Sequence, residues 1–208
     1  MRFGILGGTF DPIHLGHLLM GETAWQKLGM QRVLFVPAGD PPHKQSEVGT
    51  PARHRRAMVE LAIAGNPNFE LCPVDLDRAG PHYSTDTVRL IRAQYELTAA
   101  DCFFIIGSDS LQDLPKWHQP AELLKLCRLA VIHRPGYQPE MSTLAEQLPG
   151  VSERLLWVEM PLIGISASDV RDRLQAGQSI RYQVPAAVRE YIFSHKLYCQ
   201  AGNWVDLG

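Results

Sequence analysis

This sequence lacks many of the patterns that would assign it a function at once. Its four cysteines, Cys72, Cys102, Cys127 and Cys199, are widely spaced and show no CxxC pair. That excludes a disulfide framework and the common zinc-ribbon patterns, and it suits reduced, buried thiols. There is no HExxH string, so His14 and His17, three residues apart, have no further zinc ligands nearby and no metal-binding residues are assigned. Neither GxGxxG nor GxxxxGK[ST] occurs, which sets aside the dinucleotide fingerprint and the P-loop. No apolar run approaches the length of a bilayer span, and the chain enters a strand without a charged leader. A cytoplasmic protein with no membrane contact is expected. The formal net charge of −2 supplies no global basic field, so long nucleic acid is not an expected partner, and any polyanion must be held by local donors.

What is present is a chain of 208 residues, 45% hydrophobic and 20% charged, enough for one sizeable core. It is organised around Gly4 to His17, GILGGTFDPIHLGH. Arg2 to Leu6 reads as a buried parallel strand running into Gly7 and Gly8, whose missing side chains let a ligand approach the backbone. After Asp11-Pro12, apolar residues at Leu18, Leu19, Ala24, Trp25 and Leu28 predict a helix from about Gly16 to Leu28. A helix N-terminus with unpaired N–H groups and two imidazoles one turn apart favours an anion.

The string Gly7-Gly8-Thr9-Phe10-Asp11-Pro12-Ile13-His14-Leu15-Gly16-His17 resembles the HxGH signature of the nucleotidyltransferase superfamily. In its longer form it is most similar to the bacterial nicotinate-nucleotide adenylyltransferases. The resemblance implies an α/β fold, a single domain with a Rossmann-like parallel sheet flanked by helices, over residues 1 to 195. Lys196 to Gly208 lies past it, with its role open. The resemblance further implies that Gly7, Gly8, Thr9, Phe10, His14 and His17 bind ATP.

The remaining motifs follow in chain order. Arg32 to Val36 predicts a second strand, ending at Pro37. The Pro41-Pro42-His43-Lys44 loop offers a lysine that would ordinarily be solvated; the family resemblance implies that Lys44 reaches the substrate phosphates. Thr50-Pro51 predicts a helix start with Met58, Leu61 and Ala62 buried, and Arg53-His54-Arg55-Arg56 reads mainly as its solvated face. Phe69 to Val74 is a third strand. Ser84-Thr85-Asp86-Thr87 opens a helix with Val88, Leu90 and Ile91 inward, and its polar groups suffice as caps. By resemblance, Thr85 and Thr87 lie near a nicotinate carboxylate.

Cys102 to Ile106 predicts a central strand followed by Gly107-Ser108-Asp109, at the strand end where open α/β sheets bind ligands and an Asp can hold a ribose. The resemblance implies that Gly107 and Asp109 contact the ATP nucleoside. Trp117 is either a core residue or a ring stacked on a charged pyridine, and stacking is favoured. Leu129 to His133 ends at Arg134-Pro135-Gly136, where Arg134 is assigned to the nicotinate-nucleotide side together with Lys44, Thr85, Thr87 and Trp117. A helix is expected over Met141 to Gln147 and a sixth strand over Leu155 to Val158. Ser166 and Asp169 form a capping box of the S-x-x-D type. The resemblance to the ISSTxxR element adds a second phosphate site, made by Ile165, Ser166, Ser168 and Arg171, although Ala167 and Ser168 stand where the family often has Ser and Thr.

These anchors include no nucleophile and no obvious general base. A phosphate monoester is mostly dianionic near neutral pH, its second pKa being about 6, and needs only alignment and charge neutralisation to attack ATP. The expected reaction is direct in-line transfer of AMP from ATP to nicotinate mononucleotide. His14, His17, Lys44 and Arg171 are the catalytic residues, and Mg²⁺ arrives with ATP. The neighbouring readings are a superfamily transferase acting on nicotinamide mononucleotide or phosphopantetheine, and a non-catalytic nucleotide sensor. A homo-oligomer is left open.

Overall fold

The computed structural model describes residues 1–39, 49–133 and 140–198. Six parallel strands form one sheet: β1 (Phe3–Gly8), β2 (Arg32–Pro37), β3 (Phe69–Leu71), β4 (Cys102–Gly107), β5 (Arg128–His133) and β6 (Leu155–Glu159). Their spatial order is β3-β2-β1-β4-β5-β6. The chain builds outward from β1 in one direction, then returns to its other side with β4. That places a topological switch point between the carboxyl ends of β1 and β4, where helices on neighbouring strands diverge and leave a crevice.

The strands are apolar nearly throughout because both faces are covered. Ile5, Leu34, Val36, Phe104 and Val131 belong to one core layer, Leu6, Val33, Phe35, Phe103 and Ile105 to the other, so alternate residues of each strand feed opposite layers. Gly4 is needed at close quarters, since a Cβ there would stand 2.7 Å from Met30 Sδ and 2.9 Å from Ile105 Cδ1.

Eight helices complete the described chain: α1 (Leu15–Leu28), α2 (Ala52–Ile63), α3 (Ser84–Gln94), α4 (Ser108–Asp113), α5 (Pro120–Leu126), α6 (Met141–Gln147), α7 (Ala167–Gln175) and α8 (Ala186–Ser194). The expected strands and helices are present with small shifts at their ends. The third strand is shorter than expected, pairing with β2 only from Phe69 to Leu71. Cys72, Cys102 and Cys127 are buried free thiols. Among the described residues no helix is long and apolar enough to cross a membrane.

Three expectations about helix faces need correction. Leu61 of α2 is 38% exposed and Leu90 of α3 is 42% exposed, whereas Val59 and Ile63, and Thr85 and Thr87, take the inward positions. Arg55, expected on a solvated face, is 1% exposed. It shares the i, i+3, i+4 face of Met58 and Val59, so its guanidinium enters the protein at the head of α2.

Candidate active site

The turn after β1 is built to hold two histidines. Phe10 sits in the left-handed region at φ 50, which a bulky residue seldom adopts without compensation. Here the ring is buried, 6.0 Å from the centroid of Phe35 and edge-on to His17 at 5.0 Å. His14 is the N-cap of α1 and is itself buried. Its backbone N–H donates to Nδ1 of His17 at 3.3 Å, and the two imidazoles stack with centroids 3.7 Å apart. A Cβ on Gly16 would come within 2.9 Å of His14 Nδ1 and 3.0 Å of its Cε1. The glycine between the histidines therefore makes room for the stacked pair.

The α1 terminus is less open to anions than its sequence implies. Leu15 N–H donates to Gln183 O at 2.9 Å, and His17 N–H donates to His14 O at 3.0 Å. The start of α7 supplies what α1 does not. Ser166 Oγ accepts from Asp169 N–H at 3.0 Å, as the capping-box spacing predicts. The N–H groups of Ala167 and Ser168 lie in the first turn, where no intrahelical acceptor reaches them. Arg171, one turn further on, donates from Nη1 to Asp11 O at 2.6 Å and from Nη2 to Ser168 Oγ at 3.3 Å.

These parts meet in a cleft of about 300 Å³ at the sheet's carboxyl edge. Its lining includes Thr9, Asp11, His14, His17, Asp109, Ile165, Ser166, Ser168 and Arg171. Three separate segments of the predicted site thus converge. Asp109 is exposed at the first turn of α4, and a Cβ on Gly107, two residues before it, would meet the Asp109 carboxylate and require it to shift. Gly7 and Gly8 end β1 with Gly7 open to solvent.

On the expected pyridine side, both threonine hydroxyls are engaged within the protein. Thr85 Oγ1 donates to His118 O at 2.9 Å, and Thr87 Oγ1 lies 2.9 and 2.8 Å from the two carboxylate oxygens of Asp75. Neither hydroxyl caps α3, whose N-cap residue is Tyr83. Trp117 is half-buried and edge-on to Phe104 at 6.1 Å. Lys44 and Arg134 lie outside the described residues, as does the loop around His43.

Two buried charged residues beside the cleft carry no site assignment from sequence. Asp11 is 2% exposed, and its carboxylate accepts from Tyr198 OH at 2.6 Å and from Thr50 N–H at 3.4 Å. Arg55 donates to four carbonyls: Thr9 O and Ala38 O at 2.7 Å each, Thr50 O at 3.1 Å and Gly39 O at 3.3 Å. Burial lowers its pKa, while Asp11 and Tyr198 oppose that shift. The guanidinium remains charged and joins the ends of β1 and β2 to the head of α2. The only sequence signal for Arg55 was its helical register with Met58 and Val59.

Comparison with known proteins agrees with this architecture. Residues 5–173 match the cytidylyltransferase-like family model. A probable nicotinate-nucleotide adenylyltransferase of Thermomicrobium roseum is 48% identical over 197 residues, covering 95% of this chain and 91% of the relative. One from Roseiflexus castenholzii is 41% identical over 198 residues, covering 95% and 98% of the two chains. Among solved structures, the Plasmodium falciparum nicotinic acid mononucleotide adenylyltransferase complexed with NaAD superposes with a TM-score of 0.75 at 19% identity, covering 95% of this chain and 97% of that one. At that identity the superposition speaks for the fold, and the curated relatives speak for the family. The chain belongs to the cytidylyltransferase-like family and, within it, to the nicotinate-nucleotide adenylyltransferases.

Proposed function

We propose that this protein transfers AMP from ATP to nicotinate mononucleotide, forming nicotinate adenine dinucleotide and pyrophosphate by direct in-line attack. The observation that carries the reading is the convergence of the stacked His14–His17 pair, Ser168, Arg171 and Asp109 in one cleft at the β1/β4 switch point.

The roles follow from chemistry. Nδ1 of His17 accepts a backbone N–H, so in the neutral ring the proton sits on Nε2, which then serves as a donor to the α-phosphate. Arg171 and the first amides of α7 hold the β and γ phosphates and the leaving pyrophosphate. Among the described residues, Arg171 spends two of its five N–H donors on Asp11 and Ser168. Asp109 and the Gly107 turn are assigned to the ATP nucleoside, and the Gly7-Gly8-Thr9-Phe10 backbone to its phosphates. Lys44, Thr85, Thr87, Trp117 and Arg134 are assigned to the nicotinate nucleotide. With the Thr85 and Thr87 hydroxyls already donating internally, the carboxylate is best served by the N–H groups at the start of α3.

Among the described residues no group of three or more His, Cys, Asp or Glu side chains is placed to hold a metal. We take Mg²⁺ to arrive with ATP, held chiefly by nucleotide phosphates and water, where it would supply charge neutralisation.

The test is pyrophosphate release with Mg-ATP and, at matched concentrations, nicotinate mononucleotide, nicotinamide mononucleotide or phosphopantetheine. Strong preference for the nicotinate acceptor is expected. Preference for either other acceptor would overturn the substrate assignment. ATP binding without turnover would replace the enzyme reading by a nucleotide sensor.

A further inference from the structure

After α8 the chain turns back toward the site at the opposite end of the sequence. Leu197 N–H donates to Ile192 O at 3.0 Å, and Leu197 packs against the core layer containing Phe10 and Ile13. Tyr198 follows in the left-handed region at φ 68 and sends its hydroxyl to Asp11 Oδ1 at 2.6 Å. The Thr50 backbone N–H donates to the other carboxylate oxygen, Asp11 Oδ2, at 3.4 Å. Asp11 is therefore held on its side chain by Tyr198 and Thr50 N–H, with the charge of Arg55 nearby, while its backbone oxygen receives the guanidinium of Arg171.

This geometry makes the Asp11 peptide a link between the C-terminal segment and the phosphate cleft. A buried carboxylate that loses a hydrogen-bond donor turns toward another. Such a turn carries the Asp11 residue with it and shifts the carbonyl that locates Arg171. We propose that Tyr198 is a positioning residue for the transfer reaction: through Asp11 it sets the Arg171 guanidinium in the phosphate cleft, a role that rests on the adenylyl-transfer reading above. Tyr198 itself touches no reacting atom in this scheme. Its effect belongs in kcat, because Arg171 holds charge that is redistributed as pyrophosphate leaves, and a displacement of about 1 Å at such a group costs about a hundredfold.

The experiment is a double-mutant cycle on kcat per folded enzyme, with Tyr198→Phe, Arg171→Ala and the combined variant, measured well below each melting midpoint. Tyr198→Phe keeps the ring and removes only the hydroxyl. Expected is a tenfold to hundredfold fall in kcat with the KM for nicotinate mononucleotide unchanged, and less than about a twofold further fall when the same change is made in Arg171→Ala. Wild-type kcat in Tyr198→Phe, with only a lower melting temperature, would overturn the proposal by showing a purely structural tyrosine. Independent, multiplicative losses would overturn it too, since Tyr198 would then not act through Arg171. If Tyr198→Phe does not fold, Asp11→Asn, which alters the acceptor of the same phenol, takes its place with the same expectations. Failure of the underlying reading is distinguishable, because the wild-type protein itself would then release no pyrophosphate.

Discussion

His14 and His17 form a unit: the backbone N–H of the first donates to Nδ1 of the second at 3.3 Å, and their rings stack at 3.7 Å. This contact assigns the Nε2–H tautomer to His17 and presents a donor without requiring an imidazolium. A donor acting mainly on the transition state changes kcat rather than substrate affinity. His17→Ala is expected to lower kcat by two to three decades, roughly the cost of an oxyanion-hole donor, with KM values nearly unchanged. Steady-state kinetics decides; a change confined to KM would remove the histidine from the chemical step.

Gly16→Ala separates activity from stability. The position has helical backbone, where alanine is favoured over glycine by about 1 kcal/mol, yet the new Cβ would stand 2.9 Å from His14 Nδ1. His14 must swing aside, breaking its stack on His17. Expected are a melting midpoint close to wild type and a fall in kcat of at least about tenfold. Calorimetry and turnover on one preparation test both halves.

Arg55→Met retains much of the side-chain volume but strips donors from four carbonyls. Leaving buried acceptors without their donor costs about 1–3 kcal/mol. Denaturant unfolding of Arg55→Met is expected to show a loss of that size. Arg55→Lys recovers only part of it, because one ammonium cannot span the fork of acceptors. Wild-type stability in either variant would contradict the role given to this group.

The pH dependence lies on the alkaline side. Burial raises the pKa of Cys72 and Cys127 and pushes that of Cys102 up to about 12, from an ordinary value of 9.0. Burial and then Asp11 also raise the pKa of the Tyr198 phenol above its ordinary 10.0. Acids whose folded pKa is raised give stability that is complete below the unfolded pKa and is lost as pH climbs past it. Above pH 9 each thiol therefore costs up to about 1.4 kcal/mol per pH unit. Thermal melts between pH 8 and 10.5 should show the midpoint falling progressively, and Cys102→Ala should flatten the slope. A flat profile in the wild type would refute the linkage.

Trp117 is anchored edge-on to Phe104 while remaining half-buried, which leaves part of the indole available to a ligand. A cation–π contact with a pyridinium is worth about 0.5–1 kcal/mol at an exposed site. Trp117→Ala should raise the KM for nicotinate mononucleotide by about fivefold and leave the KM for ATP unchanged. Equal effects on both substrates would return this tryptophan to a packing role.

Much of the molecule was legible as sequence because its signals are local. Gly7-Gly8 after an apolar strand, the helical spacing of Leu18 to Leu28, the Ser166–Asp169 capping pair and the strand at Cys102 each depend on residues within one or two turns of one another. Similarity to a known family then supplied an order for motifs that spacing alone left unconnected. The sheet brought His14, Asp109 and Arg171 to one edge, as parallel strands ending at a switch point must.

Other properties were decided only when separate segments packed. Whether Arg55 is solvated depends on what lies over the head of α2, and three neighbouring basic residues offered no contrast to pick it out. Whether Thr85 and Thr87 cap their own helix depends on His118 and Asp75, whose groups compete for the same hydroxyls. Tyr198 reaches Asp11 across 187 positions of sequence. Local patterning determined the elements, the turns and the chemical groups available. Tertiary structure decided which polar groups are buried and what satisfies them, because the desolvation of a charge is set by everything packed around it.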